Sequence, residues 1–378
     1  MPTRQTPTSM TRTPARAETV GSLLRPPGLR AAIAEFGNDP ERAAEITALE
    51  DDLIAKAVRR QVDAGLDVVT DGEYRRTMFL DSFWGAVEGF TSDRNPVEFR
   101  ADDGSTITWN VQRIEDRLRP VASPAADEAA HLTTITDHPF KVTFPAASLF
   151  ALPFTFKPGI NDHAYADLGE LVAHCVEIER GLVADAIAAG ARYVQFDFPA
   201  YPYLCDPDWR RAITATGWSV DDVLDLAIQA DQEVAAGLGD KVTVGMHVCR
   251  GNNQSRYLCE GPLDPVAERL FGDLDYDVIH VEWEDPDRMG DFGSLDYAPA
   301  DGPLIVLGII SSKRPELESV DDVLRRIEAA SIRLNVDRLA VATQCGFGST
   351  WEGNKLTEDD QWRKLDLVGT VADRVWGD

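Results

Sequence analysis

With 378 residues, 44% of them hydrophobic, the chain is long enough for one large domain or two small ones with a sizeable buried core. Its formal net charge of −27, from 64 acidic and 37 basic side chains, disfavours nucleic acids and anionic membrane surfaces as partners, because both require a basic face. No apolar run reaches the roughly 18 residues that a membrane span needs, and no secretory leader is evident, so the cytoplasm is the expected compartment.

The first 17 residues are rich in Thr, Pro and Arg and contain no acidic residue, which predicts a disordered tail. Beyond it, short β-branched runs predict strands near 17–21, 67–71, 141–147, 192–197, 241–247, 277–282, 303–310 and 338–344. Longer amphipathic segments between most of them predict helices over 41–64, 165–190, 220–238, 263–271, 319–334 and 358–376. This alternation predicts an α/β fold, a single (β/α)8 TIM barrel over 18–378, with a doubly wound open sheet as the alternative.

One connection is far longer than an ordinary loop between a strand and a helix. Roughly 65 residues separate the second and third predicted strands, where a handful is usual. Within this segment, 97–111 reads as a hairpin that turns at Asp103-Gly104. We therefore expect a hairpin-containing excursion at about 85–137 that covers the mouth of the barrel.

In a TIM barrel the functional groups follow the carboxyl ends of the strands. His247 and Cys249 end the fifth predicted strand, Glu282 ends the sixth and Cys345 follows the eighth. Residues two apart on a strand point the same way, so His247 and Cys249 can both face the barrel axis. One imidazole, two thiolates and a carboxylate fit a tetrahedral Zn2+ site, and sulfur ligands favour zinc over magnesium or calcium. The alternative is that both thiols are small buried hydrophobes and His247 is a hydrogen-bonded core residue.

The remaining thiols and the neighbouring histidine favour structural roles. Five cysteines, an odd number, make a disulfide framework improbable in an intracellular chain. Cys175 lies in an amphipathic pattern and is expected in the core, whereas Cys205 and Cys259 lie in loops as bystanders. His280 shares a strand face with Glu282 and is expected in the core or as a hydrogen-bonding partner of a metal ligand.

A zinc ion at such a site would deprotonate a bound substrate thiol, and the thiolate is the nucleophilic form. Glu282 would be the easiest of the four ligands to displace by a substrate sulfur. Asp197 and Glu73, also at strand ends, could hold the ammonium of an amino-acid thiol such as homocysteine, or could form rim ion pairs with arginines. Arg25, with Arg75 and Arg76, could supply that pairing or grip an acid group of the substrate.

Several stretches together resemble the cobalamin-independent methionine synthase family, in particular its catalytic C-terminal barrel and its short single-barrel members. The matching stretches are ETVGSLLRP (18–26), GLDVVTDGEYRR (65–76), VQFDFPA (194–200), MHVCRGN (246–252), DVIHVE (277–282), LGIISSKRPELES (307–319) and QCGFGSTWEGNKLT (344–357). The resemblance implies zinc ligands at His247, Cys249, Glu282 and Cys345. It also implies that Gly21, Ser22 and Glu73 contact a homocysteine-like substrate and that Asp197 holds its amino group.

The chain departs from the family at positions that bear on the methyl donor. Asp197-Phe198-Pro199-Ala200 stands where the family has Asp-Glu-Pro-Ala, and Lys313 stands where the folate-using members have a proton-donating histidine. The second barrel that helps to hold the folate in full-length synthases is not found within these 378 residues. Lys313 is therefore expected to act as an electrostatic or proton-donating group near the leaving atom.

The expected function is a zinc-dependent thiol alkyltransferase, with methyl transfer to homocysteine to form methionine as the first hypothesis. Alkyl transfer to another thiol, as in the epoxyalkane:coenzyme M transferase, is the alternative within the same class. The donor would be a methyl-folate, a methyl-corrinoid or an epoxide. A metal-free barrel lyase of the uroporphyrinogen decarboxylase type and a zinc-storage module are the alternatives outside it. A homo-oligomer is compatible with the sequence.

Overall fold

The computed structural model describes residues 15–37, 39 and 41–377, apart from the side chains of 92–95. The strands of this part of the chain are β1 (Ala17–Glu18), β2 (Val87–Arg100), β3 (Thr106–Pro120), β4 (Val142–Pro145), β5 (Tyr193–Asp197), β6 (Thr243–Val248), β7 (Val278–Glu282), β8 (Leu304–Ile310) and β9 (Leu339–Thr343). All but β2 and β3 form one parallel sheet in the order β1-β9-β8-β7-β6-β5-β4. Neighbours in the sheet follow the chain order, whereas a doubly wound sheet would reverse it, so the open-sheet alternative is wrong.

Two valines close this sheet into a barrel. Val68 forms a parallel bridge with Glu18 of β1, and Val69 forms one with Phe140, just before β4. The second predicted strand is therefore reduced to two bridging residues. The chain turns directly afterwards, because Gly72 and Glu73 adopt left-handed backbone with φ of 72° and 55°. The predicted TIM barrel class is confirmed, with eight strand positions around the ring.

Helices surround the barrel. They are α1 (Pro27–Phe36), α2 (Ala43–Asp63), α3 (Asp81–Trp84), α4 (Pro124–Ile135), α5 (Leu168–Ala188), α6 (Tyr201–Cys205), α7 (Pro207–Ala215), α8 (Val220–Ala235), α9 (Asp264–Gly272), α10 (Pro286–Met289), α11 (Val320–Ser331) and α12 (Glu358–Trp376), with 3-10 turns at Ala147–Ala151, Phe292–Tyr297 and Val336–Arg338. The six predicted helices correspond to α2, α5, α8, α9, α11 and α12. None of the described helices is long and apolar enough to cross a membrane.

Side-chain caps explain why several of these helices begin where they do. Asp167 accepts a hydrogen bond from the backbone N–H of Glu170 at the start of α5, and Ser219 does the same for Asp222 at the start of α8. Thr357 and Asp360 form a reciprocal capping box at the start of α12. The shorter α1, α4 and α7 were not predicted. Each has a proline in its first turn, which is compatible with a helix start but reads in the sequence as a break.

The excursion contains the predicted hairpin. Strands β2 and β3 pair antiparallel, with Phe99 opposite Ile107, and the chain turns between Ala101 and Ser105, where Gly104 adopts a left-handed φ of 78°. Arg100 pairs with Tyr257 of a barrel loop through two backbone hydrogen bonds of 2.8 and 2.9 Å. This bridge, together with the burial of Phe99, holds the hairpin against the loops at the carboxyl ends of the barrel strands.

The predicted tail lies mostly outside the described residues, since 1–14 are not among them. Its last two residues contact the barrel. Ala17 pairs with Val341 of β9, and the guanidinium of Arg16 donates to the carbonyl of Leu339 over 2.7 Å. The ordered barrel therefore reaches back to Arg16, two residues before the predicted boundary at Glu18.

Candidate active site

Three of the predicted metal ligands converge at the carboxyl ends of β6 and β9. His247 lies in β6, Cys249 follows this strand, and Cys345 follows β9. One ligand atom from each lies within 4.8 Å of the other two, and all three residues are buried. No other group of this kind occurs among the described residues. The sequence prediction that brought these residues together across nearly 100 positions therefore agrees with the fold.

The imidazole of His247 is oriented by a backbone carbonyl. Its Nε2 lies 2.9 Å from the carbonyl oxygen of Gln344, which can only accept, so Nε2 carries the hydrogen. Metal-binding histidines commonly use one nitrogen in this way and present the other to the ion. The other nitrogen, Nδ1, lies 3.4 Å from Oδ1 of Asp197. Burial acts to lower the pKa of His247, but Cys249 and Asp197 outweigh it and raise the pKa to about 9.

The thiols of Cys249 and Cys345 form a hydrogen bond with each other, and this contact shifts their pKa values in opposite directions. The hydrogen bond from Cys345 lowers the pKa of Cys249 against the effect of burial, with His247 contributing in the same direction. Burial and the neighbouring Cys249 raise the pKa of Cys345 well above its usual range. Cys249 is thus the more acidic thiol of the pair. Two closely spaced thiols and an imidazole with a fixed tautomer are a donor set that fits a zinc ion, since zinc binds thiolate and neutral imidazole.

Glu282 lies next to this cluster but is engaged elsewhere. Its Oε1 accepts hydrogen bonds from Nζ of Lys313 at 2.9 Å and from Nε2 of Gln344 at 2.8 Å. Its Oε2 accepts from the backbone N–H of Arg250 at 2.5 Å. Burial opposes ionisation, but Lys313 and Arg250 hold the pKa of Glu282 below its usual range. Its role as a fourth ligand stays a prediction, and in this arrangement the carboxylate is held back from the three ligand atoms.

Lys313 is buried beside Glu282 and does not line the cavity over the cysteines. Its ammonium donates to Glu282 and to the carbonyl of Gly251, over 2.9 and 3.0 Å. The cavity is lined instead by residues from the strand ends and from the hairpin, among them Ser22, Glu73, Asp197, His247, Cys249, Cys345, Phe99, Trp109 and Phe198. The predicted proton-donating role of Lys313 at the leaving atom is untested, and its observed partner is Glu282.

Glu73 reaches this cavity because Gly21 leaves room for it. A Cβ atom at position 21 would lie 2.5 Å from Oε1 of Glu73. That oxygen accepts a hydrogen bond of 2.8 Å from the hydroxyl of Thr143. The other oxygen, Oε2, is buried and has no hydrogen-bond partner among the described residues. Burial raises the pKa of Glu73, with Asp197 adding to the effect and Arg76 opposing it. The binding of a substrate ammonium by Glu73 and Asp197 stays a prediction.

Arg25, which the sequence suggested could grip an acid group of the substrate, is surrounded by backbone carbonyls. Its guanidinium donates to the backbone carbonyls of Glu73, Arg76, Gly348 and Thr350, at 2.5 to 3.2 Å. These five hydrogen bonds use all of its N–H groups. In this arrangement Arg25 joins the loops after the first, second and last strands of the barrel, and its contact with a substrate stays a prediction.

The other two arginines of that group form ion pairs within the protein. Arg75 pairs with Asp51 at the surface of α2. Arg76 is buried and pairs with Glu128 of α4, its Nε donating over 2.7 Å, and also donates to the hydroxyl of Thr143. Its guanidinium also lies 3.8 Å from Oε1 of Glu73, which is the ion pair that the sequence offered as the alternative role of that carboxylate. Neither lines the cavity over the cysteines.

Comparison with known proteins assigns the chain to a family. The family model described as the catalytic domain of cobalamin-independent synthase matches residues 16–102 and 162–357. The chain belongs to the cobalamin-independent methionine synthase family. The gap in the match, 103–161, covers the second half of the hairpin, α4 and β4. The predicted family membership is confirmed.

The chain is similar to relatives of about its own length and to longer enzymes. Uncharacterized protein YxjG of Bacillus subtilis is 34% identical over 375 residues, covering 96% of this chain and 95% of the relative. The 5-methyltetrahydropteroyltriglutamate–homocysteine methyltransferase of Salinibacter ruber is 24% identical over 337 residues, covering 87% of this chain. The match covers only 39% of that longer enzyme.

Solved structures agree with the barrel assignment. A candidate vitamin-B12-independent methionine synthase from Listeria monocytogenes superposes with a TM-score of 0.73 at 25% identity, over 97% of this chain and 99% of that one. A B12-independent methionine synthase from Shewanella sp. W3-18-1, in complex with selenomethionine, has a TM-score of 0.72 at 21% identity, over 95% and 97% of the two chains. At 21% identity, the similarity to the Shewanella enzyme shows a shared fold.

Sequence reasoning missed the groups that support Asp197 in this family member. Nε2 of Gln195 donates a hydrogen bond of 2.8 Å to Oδ1 of Asp197. Oε1 of Gln195 accepts a hydrogen bond of 2.7 Å from Nζ of Lys141. The same ammonium donates to Glu18, and Glu18 lies 3.3 Å from Nε2 of the buried His280. Gln195 precedes Asp197 by two residues on β5, so the alternation of a strand could have indicated this contact.

Proposed function

We propose that this protein is a zinc-dependent methyltransferase that transfers a methyl group to the sulfur of homocysteine and forms methionine. The convergence of His247, Cys249 and Cys345 on one point of a buried cavity supports this proposal most strongly. Bound there, zinc would supply the charge that lowers the pKa of a substrate thiol, so that the thiol reacts as a thiolate near neutral pH.

Other residues would orient the metal ligand, bind the substrate and exclude water. The carbonyl of Gln344 holds the His247 ring so that Nδ1 can bind an ion. Glu73 and Asp197 line the same cavity and accept the ammonium of the substrate, Glu73 through the oxygen that has no other partner. Phe99 and Trp109 of the hairpin cover the cavity and exclude water, which strengthens these charge interactions.

The relatives support homocysteine as the thiol and leave the donor as a separate question. The longer relatives are methyltransferases of homocysteine that use 5-methyltetrahydropteroyltriglutamate. This chain spans about two fifths of their length. The shared barrel therefore does not establish that this chain uses the same methyl donor. Coenzyme M would be the thiol in the alternative alkyl transfer, and it lacks the ammonium that two buried carboxylates are placed to bind. A metal-free lyase would leave the paired thiols without a role.

Metal content and thiol binding test the proposal together. The purified protein is expected to hold one zinc ion per chain, measured by mass spectrometry of the metal. Cys249→Ser and Cys345→Ser should abolish this content, whereas Cys175→Ala, a change in the core of α5, should retain it. In the cobalt-substituted protein, homocysteine should add a sulfur-to-cobalt absorption band and coenzyme M should not. Protein without stoichiometric metal that still turns over would overturn the proposal and favour a lyase.

A further inference from the structure

A second cavity, of about 350 Å³, adjoins the thiol site beneath the hairpin. Its walls come from α3 and the hairpin on one side, and from the loops after β4 and β5 on the other. Phe198 and Trp109 line both this cavity and the one over the cysteines. The two spaces are therefore neighbours, and a group beside these two rings is close to a thiol held at the cysteines.

The walls of this cavity are rich in aromatic rings. Six of them are Trp84, Trp109, Phe154, Phe198, Tyr203 and Trp209. Two neighbouring pairs meet at steep angles: Phe198 and Tyr203 at 67° with centroids 5.7 Å apart, and Tyr203 and Trp209 at 74° with centroids 4.9 Å apart. Trp84 and Trp109 instead lie nearly parallel, at 23° with centroids 6.3 Å apart. Rings that stand across one another present faces as well as edges to the space they enclose. Aromatic faces grouped in this way attract quaternary cations.

The charged side chains that line the second cavity are all basic among the described residues. Arg113 and Lys157 line the second cavity but not the first. No carboxylate and no histidine lines it among the described residues. Lys313, which the sequence suggested as the proton donor for a leaving group, lines neither cavity. The walls of this cavity offer no carboxylic acid or imidazole that could protonate a leaving atom, and the proposed function assigns Glu73 and Asp197 of the first cavity to the ammonium of homocysteine. The onium centre of a donor becomes neutral as the methyl group leaves and needs no proton.

We propose that this second cavity binds the methyl donor, and that the donor is a small onium acid. Its quaternary ammonium or sulfonium centre would lie against Phe198 and Trp109, with its carboxylate directed to Arg113 and Lys157. This inference rests on the proposed function. The lone pair of the substrate thiolate forms the new sulfur–carbon bond, and the bond from methyl to the onium nitrogen or sulfur breaks with its electron pair on that atom. The thiol proton has left for solvent beforehand, so charge and atoms balance.

Turnover with defined donors tests this inference. The zinc-loaded full chain and homocysteine are mixed with glycine betaine, dimethylsulfoniopropionate, 5-methyltetrahydrofolate or methylcobalamin. We expect methionine with one of the two onium acids, together with an equimolar amount of the demethylated acid. Methionine from only the folate or the cobalamin would overturn the inference and leave the proposed function standing. An absent cobalt–sulfur band with homocysteine, together with no product from any donor, would overturn both.

Binding of neutral analogues isolates the role of the positive charge. In 3,3-dimethylbutanoate and 4-methylpentanoate, carbon replaces the onium atom of the two probes at nearly the same shape. As competitive inhibitors against the active onium acid, they should bind about tenfold more weakly than that acid, the size expected for a desolvated cation on aromatic faces. Equal affinity would show that shape alone is recognised and would overturn the onium assignment.

A ring that lines only the second cavity provides the matched variants. Tyr203→Leu should raise the KM for the onium acid about tenfold and leave the KM for homocysteine unchanged, because Tyr203 does not line the thiol cavity. Tyr203→Phe keeps the aromatic face and should restore the KM of the parent protein. Since Tyr203 is buried, the leucine variant is first checked for its cobalt–sulfur band with homocysteine. An intact band with an unchanged KM for the onium acid would contradict the proposal.

Discussion

Gly21 and Glu73 approach each other so closely that no side chain fits between them. A Cβ atom built on Gly21 would lie 2.5 Å from Oε1 of Glu73 and 3.2 Å from a methyl carbon of Thr143. Glu73 cannot easily retreat, because its backbone has a left-handed φ of 55° and its Oε1 accepts a hydrogen bond from Thr143. The absence of a side chain at position 21 is thus what allows the buried carboxylate to face the thiol site.

Replacement of Gly21 by alanine is therefore expected to impair substrate binding more than metal binding. In Gly21→Ala the new methyl group pushes Glu73 from its place, at a cost of about 1–3 kcal/mol in folding stability. The KM for homocysteine should rise about tenfold, and the zinc content should stay at the parent level. Steady-state kinetics and metal analysis measure both. Gly28→Ala is the control, because nothing lies within 4 Å of a Cβ at that position. An unchanged KM would show that Glu73 does not contact the thiol substrate.

The two buried carboxylates can be tested with a thiol that lacks the amino group. Glu73→Gln and Asp197→Asn should each raise the KM for homocysteine by about 10–100-fold, the equivalent of losing one charge-assisted hydrogen bond. With 4-mercaptobutanoate, the analogue of homocysteine without its ammonium, both variants should match the parent protein. A similar loss with both thiols would mean that the carboxylates position the metal ligands instead, as the 3.4 Å contact of Asp197 with His247 would allow.

The barrel and the convergence of three candidate ligands could be predicted from the sequence because both follow from the direction of strands. His247, Cys249 and Cys345 end strands of a parallel sheet, and a closed sheet brings all such ends to one rim. Arg25 also follows a strand, but nothing in the sequence tells whether its donors turn to a ligand or to backbone carbonyls. The hairpin was expected over the mouth of the barrel, but Trp109 was missed because the side chains that reach the cavity depend on tertiary contacts such as the bridge from Arg100 to Tyr257.

A buried acid far from the active site should make folding stability depend on pH. Glu179 of α5 is fully buried, and neither of its carboxyl oxygens has a hydrogen-bond partner among the described residues. Burial, with a further contribution from Asp231, raises its pKa well above the ordinary value of 4.5. The folded state therefore holds this proton more tightly than the unfolded state. The stability it contributes is complete below the ordinary value and declines as the pH rises towards the raised pKa of the folded chain.

Glu179→Gln removes this titration without a change of shape. We expect the variant to be about 1–3 kcal/mol more stable than the parent protein at pH 8, with little difference at pH 4.5. Glu177→Gln, an exposed position on the same helix, should change stability little at either pH. Urea unfolding at the two pH values measures the difference. An identical pH dependence of the parent and the Glu179→Gln variant would show that the carboxyl finds a partner or reaches water.

Glu282 could act as the ion-pair partner of Lys313, as a zinc ligand, or as both, and variants of the pair distinguish these roles. Both side chains are buried, and the ammonium lies 2.9 Å from Oε1 of Glu282. Glu282→Gln leaves the charge of Lys313 without its partner and should destabilise the fold by about 3–5 kcal/mol. The double variant Glu282→Gln/Lys313→Met removes both charges and should recover most of this loss, as measured by urea unfolding.

Zinc affinity in the same pair of variants tests whether Glu282 is a ligand. If Glu282 binds the ion in the working enzyme, the double variant regains stability but keeps a weakened affinity for zinc. We expect this outcome, with a loss beyond the roughly 10–100-fold that follows removal of a group that only supports a ligand. Competition with a chromogenic chelator gives the dissociation constants, and Lys313→Met serves as the reference that retains the carboxylate. A double variant with the zinc affinity of the parent protein would show that Glu282 is not a zinc ligand and serves only as the ion-pair partner of Lys313.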